Sequence, residues 1–210
     1  MSTNLGTTCK KCRRAGEKLL LKGDRCLSPK CAVVRKPYQP GVHGKASRRG
    51  LSEYGQQLRD KQDMRKIYGV SERQFRKHIE EARSRKGVWG DNIISRLELR
   101  MDNIVYRLGF AISRAQARQL VSHSMFLVNG RVLNVASAEL KIGDEVSVKP
   151  HKMQKEYFKA IQPVLKKSQQ VPGWLSIDPE AMKGKILSKP NKDEMGYQLN
   201  TQGVIEYYSR

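Results

Sequence analysis

Residues 96–131, RLELRMDNIVYRLGFAISRAQARQLVSHSMFLVNGR, encode two short helices and a hairpin and set basic side chains on one face. Leu97, Met101, Ile104, Val105 and Leu108 recur at steps of three and four, the period of an amphipathic helix, and Gly109 stands where such a helix ends. Ser113 is placed to cap a second helix. In that helix Ala117, Leu120 and Val121 face inward, while Arg114 and Arg118 share the outer face. Met125 to Val128 reads as a strand. Asn129-Gly130 is a strong hairpin signal because both central turn positions need a positive φ, and Arg131 to Leu133 return as the partner strand. A basic helix face beside a hairpin suits folded RNA, although charged residues on a helix surface are by themselves ordinary.

Charge points the same way. The 210 residues hold 41 Lys and Arg against 20 Asp and Glu, a net charge of +21, with an isoelectric point near 10.1; the implied partner is a polyanion, nucleic acid before any other. Residues 1–50 carry 13 basic and two acidic side chains, whereas residues 101–150 carry six and four. Long-range attraction therefore sits largely at the N-terminus. A membrane surface is the rival anion, but no basic amphipathic anchor accompanies the charge. No stretch has the roughly 20 apolar residues of a membrane span, and the start MSTNLGTTCKK lacks the apolar core of a secretory signal. The cytoplasm is the expected compartment.

All four cysteines, Cys9, Cys12, Cys26 and Cys31, fall at the start of the chain with spacing C-x2-C-x13-C-x4-C. Two close pairs across a short loop supply the four thiolates of a tetrahedral site. Disulfides are the alternative, disfavoured in a reducing cytoplasm. The flanking Lys10, Lys11, Arg13, Arg14, Arg25 and Lys30 are expected to lower thiol pKa values. One Zn2+ per chain is the first choice; four thiolates also suit a [4Fe-4S] cluster. The ion would be structural, tying down a basic knob with too few apolar residues to fold alone.

Beyond the knob, Gly41 to Gly50 is glycine-rich and basic enough to act as a linker. Ser52 caps a helix carrying Tyr54, Leu58 and Ile67 that ends at Gly69; Ser71 caps the next, with Gln74 completing a capping box and Phe75, Ile79 and Ala82 as inner stripe. Its outer side bears Arg73, Arg76, Lys77, Arg83, Arg85 and Lys86. After the hairpin, Glu145 to Val148 reads as a strand and His151 to Lys167 as a helix that Pro163 should kink or shorten. The tail reads as strands at Trp174 to Ile177, Lys185 to Leu187 and Val204 to Tyr208, with turns at Pro172-Gly173 and Pro190-Asn191.

The run Ser113 to His123 followed by Val128-Asn129-Gly130 resembles the S4 RNA-binding domain, which also occurs in pseudouridine synthases and tyrosyl-tRNA synthetases. The rest of the chain resembles the bacterial ribosomal protein S4 family nearly end to end. The matches are Tyr38-Gln39-Pro40-Gly41-Val42-His43-Gly44, Leu51-Ser52-Glu53-Tyr54-Gly55, Leu58-Arg59-Asp60-Lys61-Gln62, Ile67-Tyr68-Gly69-Val70, Glu72-Arg73-Gln74-Phe75 and Glu206-Tyr207-Tyr208-Ser209-Arg210. Ser124 departs from the family, which usually has a small turn residue there, often glycine. Some bacterial members keep four cysteines and others have lost them.

The resemblance implies an α+β fold: a four-cysteine metal knob over residues 1–45, a mainly helical domain over 46–91 completed by 171–210, and an inserted S4-type RNA-binding module over 92–170, two helices plus a small antiparallel sheet. It implies a structural constituent of the small ribosomal subunit that binds the 5′ domain of 16S rRNA, nucleates 30S assembly and contributes to translational fidelity. Its implied partners are 16S rRNA, ribosomal protein S5 and other small-subunit proteins, and mRNA where it enters the ribosome, with no membrane or small-molecule substrate. The residues then expected to meet RNA are Lys10, Arg13, Arg14, Lys45, Arg48, Arg49, Arg59, Lys61, Arg65, Lys66, Arg73, Arg76, Arg114, Arg118, His123, Asn129 and Arg131.

Two other classes compete with this reading. An S4-domain RNA-modifying enzyme would need a larger catalytic domain, and Arg100-Met101-Asp102-Asn103 only echoes the required motif, inside the module's first helix. Gly44-Lys45 is not a phosphate loop, since Gln39 and Ala46 stand where glycine and a hydroxyl residue are needed. His43, His78, His123 and His151 are scattered, with no paired nucleophile. A zinc-finger regulator of DNA is the second rival, and it would prefer duplex DNA over structured RNA.

Overall fold

A computed structural model describes residues 7–46, 50–167, 171–195 and 199–210. In chain order the helices are α1 (Thr8–Ala15), α2 (Asp24–Leu27), α3 (Ala32–Arg35), α4 (Glu53–Tyr68), α5 (Glu72–Arg83), α6 (Trp89–Glu98), α7 (Met101–Arg107) and α8 (Arg114–Ser122), followed by strands β1 (Phe126–Val128), β2 (Arg131–Val132) and β3 (Glu145–Val148). Then come α9 (Pro150–Met153), α10 (Glu156–Lys167), β4 (Leu175–Asp178), β5 (Lys183–Ile186), a 3-10 turn over Lys192–Met195 and α11 (Thr201–Ser209). The chain divides into two compact units, residues 1–93 with 197–210, and residues 94–196. This is the mixed α+β architecture expected.

In the first unit the caps act as the sequence implies. The Ser52 hydroxyl accepts from the Gly55 N–H at 3.2 Å and the Ser71 hydroxyl from the Gln74 N–H at 3.3 Å, satisfying amides that a helix start leaves open. Gly69 ends α4 in the left-handed conformation. Met64, Ile67, Tyr68, Phe75, Ile79 and Ala82 are buried.

Val204 to Tyr208 is not the expected strand; it lies in α11, packed on α4. Asn200 caps that helix, its side-chain oxygen accepting from the Gly203 N–H at 3.1 Å while its amide donates to Asp60 Oδ2 at 2.7 Å. The β-rich composition of VIEYY is overridden by this cap and by the fit against α4. A Cβ on Gly203 would stand 2.4 Å from Asp60 Oδ2.

The second unit is a five-stranded antiparallel sheet of order β2-β1-β3-β5-β4 sharing one core with α7, α8 and α10. Phe126 is fully buried, its ring 5.8 Å from Phe110 and 6.3 Å from Phe158. Burying each such side chain contributes roughly 1.5–3 kcal/mol. Asn129 (φ +49°) and Gly130 (φ +79°) make the hairpin turn.

Three expectations here need correction. The helix from Leu97 to Leu108 is two helices: α6 stops at Glu98, and Arg100 is extended and bridged to Glu139. The cause is that Ala138 and Ala136 carbonyls accept the Met101 and Asp102 N–H groups at 2.9 and 3.1 Å, so a distant loop satisfies the amides that a continuous helix would have used. The expected helix from His151 is likewise interrupted after Met153, and Pro163 sits inside α10 rather than ending it; Pro163 and Lys159 are exposed, so the carbonyl that loses its partner faces water.

Finally, residues 175–186 do not complete the helical domain as the tail is expected to. Strand β5 pairs with β3 (Val146 opposite Gly184), which places both tail strands in the second unit's sheet. Gly184 makes that possible, since a Cβ there would stand 2.4 and 2.5 Å from the Leu108 methyls. Ser124, the residue that departs from the family, has φ +55°, the left-handed region where glycine is at ease.

Candidate nucleic-acid interface and cysteine cluster

The four thiols are brought together. Cys9 and Cys12 ride on α1, Cys26 on α2, and Cys31 precedes α3; all four line one cavity of about 20 Å3, together with Leu21 and Val33 among others. None is in a disulfide. The Lys22 N–H donates to the Cys26 sulfur at 3.3 Å. Burial pushes the Cys12 thiol up, against a backbone hydrogen bond at Leu19, and the charges of Cys26, Cys9 and Cys31 push it further. For Cys12 this runs opposite to the expected lowering: removal from water disfavours its thiolate, and the neighbouring thiols add to that. Among the described residues no three His, Cys, Asp or Glu side chains converge tightly enough to hold an ion as they stand. The donor set nevertheless fits a thiophilic ion: four thiols on one cavity, with a backbone N–H on one sulfur.

The basic residues of the first unit split into two groups. On α5 and just past its end, Arg73, Arg76, Lys77, Arg83, Arg85 and Lys86 are exposed. Arg76–Glu80 at 2.9 Å and Lys77–Glu81 at 3.7 Å are surface pairs one helical turn apart, the kind that competes weakly with phosphate. Lys10, Arg14 and Lys45 are also exposed, and Arg48 and Arg49 lie outside the described residues.

The α4 cations are turned to internal work. Lys61, with a side chain 5% exposed, donates to Glu72 at 2.7 Å and sits 4.5 Å from the Tyr207 ring. Arg65 reaches the same carboxylate at 3.1 Å, Lys66 holds Asp63 at 2.6 Å, and Arg59 donates to the Ala15 carbonyl that ends α1. Burial alone would raise the Glu72 carboxyl, but hydrogen bonds from Lys61 and Tyr208 and the charges of Lys61 and Arg65 outweigh it and hold it below the usual range.

In the second unit, Arg114 and Arg118 are not an exposed pair. Arg114, 8% exposed, donates to Asn103 Oδ1 at 2.8 Å and stacks 4.5 Å over Tyr106. Arg118 donates to Asp102 Oδ2 from Nε at 2.9 Å and from a terminal nitrogen at 2.5 Å. The reason is two carboxylates that the sequence reading passed over. Glu98 is fully buried and receives Arg107 at 2.8 and 2.9 Å, while Asp102 receives Arg100 at 3.1 and 3.0 Å as well as Arg118. Buried carboxylates demand cations. The legible signal was Glu98 and Asp102 standing four apart among apolar residues, with Arg96, Arg100 and Asn103 interleaved. Asn129 is similarly committed, donating to Asp144 at 2.8 Å and accepting from the Glu145 N–H at 2.9 Å. His123 and Arg131 are exposed.

Residues 3–98 match the family model of the ribosomal protein S4/S9 N-terminal domain, and residues 99–146 match that of the S4 domain. Along its whole length the chain is 49% identical to the small ribosomal subunit protein uS4 of Thermus thermophilus, over 100% of both chains. The chain belongs to the uS4 family. The uS4 proteins of Caldicellulosiruptor bescii and Clostridium novyi, the latter called uS4A, are 47% and 44% identical, again over 100% of both chains. Membership in the uS4 family makes the chain a structural protein rather than an enzyme. The two uS4 family models meet at residues 98 and 99, where α6 gives way to a turn at Leu99 and the extended Arg100.

Proposed function

We propose that this uS4-family chain is a structural constituent of the small ribosomal subunit, working in the cytoplasm within the ribosome and binding 16S rRNA directly. The observation that carries the reading is the unbroken match to uS4 relatives over the full chain. The charge of +21 supports it, as do the exposed cations on α5 and around the cysteine knob. Lys and Arg on rigid elements displace counterions from phosphates, so affinity falls as salt rises. A-form RNA hides its base edges in a deep groove, so the surface reads shape and backbone.

More finely, the target is the 5′ domain of 16S rRNA at a junction of helices, where binding nucleates 30S assembly. Contact with protein S5 ties the chain to translational fidelity, and Lys45, Arg48 and Arg49 are candidates for touching RNA phosphate, of 16S rRNA as well as of mRNA as it enters. Arg73 and Arg76 are the stronger phosphate candidates; the buried Lys61 and Arg114 serve the fold. No helix among the described residues is long and apolar enough to cross a membrane.

Cys9, Cys12, Cys26 and Cys31 would hold one Zn2+, with a [4Fe-4S] cluster as the alternative. The ion would supply no reaction chemistry, only a cross-link of three short helices that bury little apolar surface.

The test is sedimentation of the tagged protein from lysate, together with binding to a 5′-domain transcript at rising salt. Migration with small subunits and a steep salt dependence are expected. A free pool, or preference for duplex DNA, would overturn the reading in favour of a zinc-finger regulator.

A further inference from the structure

Arg13 immediately follows Cys12 on α1, yet its charge is turned inward. Its Nε donates to the Tyr38 carbonyl at 2.9 Å and to the Lys36 carbonyl at 3.2 Å, a terminal nitrogen donates to the Gln39 carbonyl at 3.1 Å, and the guanidinium lies 4.8 Å from the Tyr38 ring. Gln39 answers with its side-chain amide on the Arg14 carbonyl at 3.3 Å. One planar fork thus gathers three carbonyls of a segment with little apolar anchorage; Val42 is 96% exposed. The Gln39 carbonyl is itself the surface on which the next turn rests. A Cβ on Gly44 would stand 1.9 Å from it, so only glycine lets the chain close there, with the Gly44 N–H on the Gly41 carbonyl at 3.2 Å. That closure returns Lys45 to Tyr38, its ammonium 5.4 Å from the ring.

We propose that Arg13 is a positioning residue: it sets the segment from Lys36 to Lys45 so that Lys45 is presented to RNA phosphate, and it makes that presentation depend on the cysteine cluster. The inference rests on the rRNA-binding reading above. Arg13 reaches the segment only while α1 holds its place, and α1, at eight residues, is too short to persist as an isolated helix. Cys9 and Cys12 anchor its inner face. Order at the thiols therefore passes through Arg13 to a phosphate-binding lysine more than 30 positions along the chain.

The discriminating variant is Arg13→Lys, which keeps the charge but cannot span three carbonyls with a compact ammonium. Amide exchange is measured by mass spectrometry on the zinc-loaded protein, the chelator-treated protein, Arg13→Lys and Arg13→Ala; affinity is measured for a 5′-domain transcript of 16S rRNA. Faster exchange over residues 36–46 is expected in the variants and after chelation, with α4 and α5 unchanged in the variants as the control for folding. Arg13→Lys should weaken RNA binding roughly tenfold, as Lys45→Ala does, and the double variant should be no weaker than either. Wild-type affinity in Arg13→Lys, or additive losses in the double variant, would show that Arg13 meets phosphate on its own account and overturn the proposal. Unchanged exchange over 36–46 after chelation, with faster exchange in Arg13→Lys, would overturn its dependence on the cysteines. If wild-type protein ignores the transcript while the exchange pattern holds, the rRNA reading fails and the positioning of the segment by Arg13 stands.

Discussion

Glu98→Ala should be among the most damaging single changes in the second unit. Glu98 is fully buried, its Oε2 accepts from Arg107 and Asn103 at 2.8 Å each, its Oε1 accepts from Arg107 at 2.9 Å, and Arg114 lies 4.0 Å away. Arg107 has a side chain only 12% exposed. Alanine therefore strips a mostly buried guanidinium of a bidentate carboxylate, a defect that costs about 3–5 kcal/mol, against total stabilities of about 5–15 kcal/mol for small domains. Trp174 is buried in this unit and Trp89 belongs to the other, so in a Trp89→Phe background Trp174 fluorescence follows urea unfolding of the second unit alone. With a urea slope of about 1–3 kcal/mol per molar, the midpoint should fall by more than about 1 M. Because the cost is an orphaned charge, Glu98→Ala with Arg107→Met should recover a large part of it. A loss below about 1 kcal/mol, or a double variant in which the two losses add, would refute the reasoning.

Gly184→Ala should cost about 1–3 kcal/mol by overpacking, since its Cβ would meet the buried Leu108 side chain at 2.4 Å; an unchanged urea midpoint would count against it. Ser124→Gly should stabilise the same unit by up to about 1 kcal/mol, because relief of a left-handed conformation costing about 1–2 kcal/mol exceeds the entropy glycine adds to the unfolded chain; any loss of stability would contradict this. Burial pushes the Tyr157 phenol up to about 12 from an ordinary 10.0, with its hydroxyl donating to the Phe110 carbonyl at 2.7 Å. A raised pKa gives stability that is complete below the unfolded value and lost as pH climbs through the folded one, so the midpoint should decline between about pH 10 and 12, and Tyr157→Phe should flatten that decline. Cys26→Ser should abolish the binding of about one zinc per chain, and full retention by metal analysis would remove the proposed site.

Short-range features were settled by residues within a few positions of one another. Ser52, Ser71 and Ser113 cap helices because a hydroxyl can reach an amide three residues on, and Asn129-Gly130 turns because both tolerate positive φ. The long ordered set of family motifs carried the membership, and the spacing of Cys9, Cys12, Cys26 and Cys31 anticipated their shared cavity. Tertiary structure alone decided where charge goes. Arg114, Arg118 and Lys61 read like any basic residue on a helix surface, but buried Glu98, Asp102 and the Glu72–Tyr208 cluster claim them. It also decided that Val204 to Tyr208 coils against α4 instead of extending, and that the helix through Leu97 breaks at Arg100. Local propensity is a matter of tenths of a kcal/mol per residue, whereas an unpaired buried charge or an unmet backbone amide costs several kcal/mol, and whether either arises depends on groups far away in the chain.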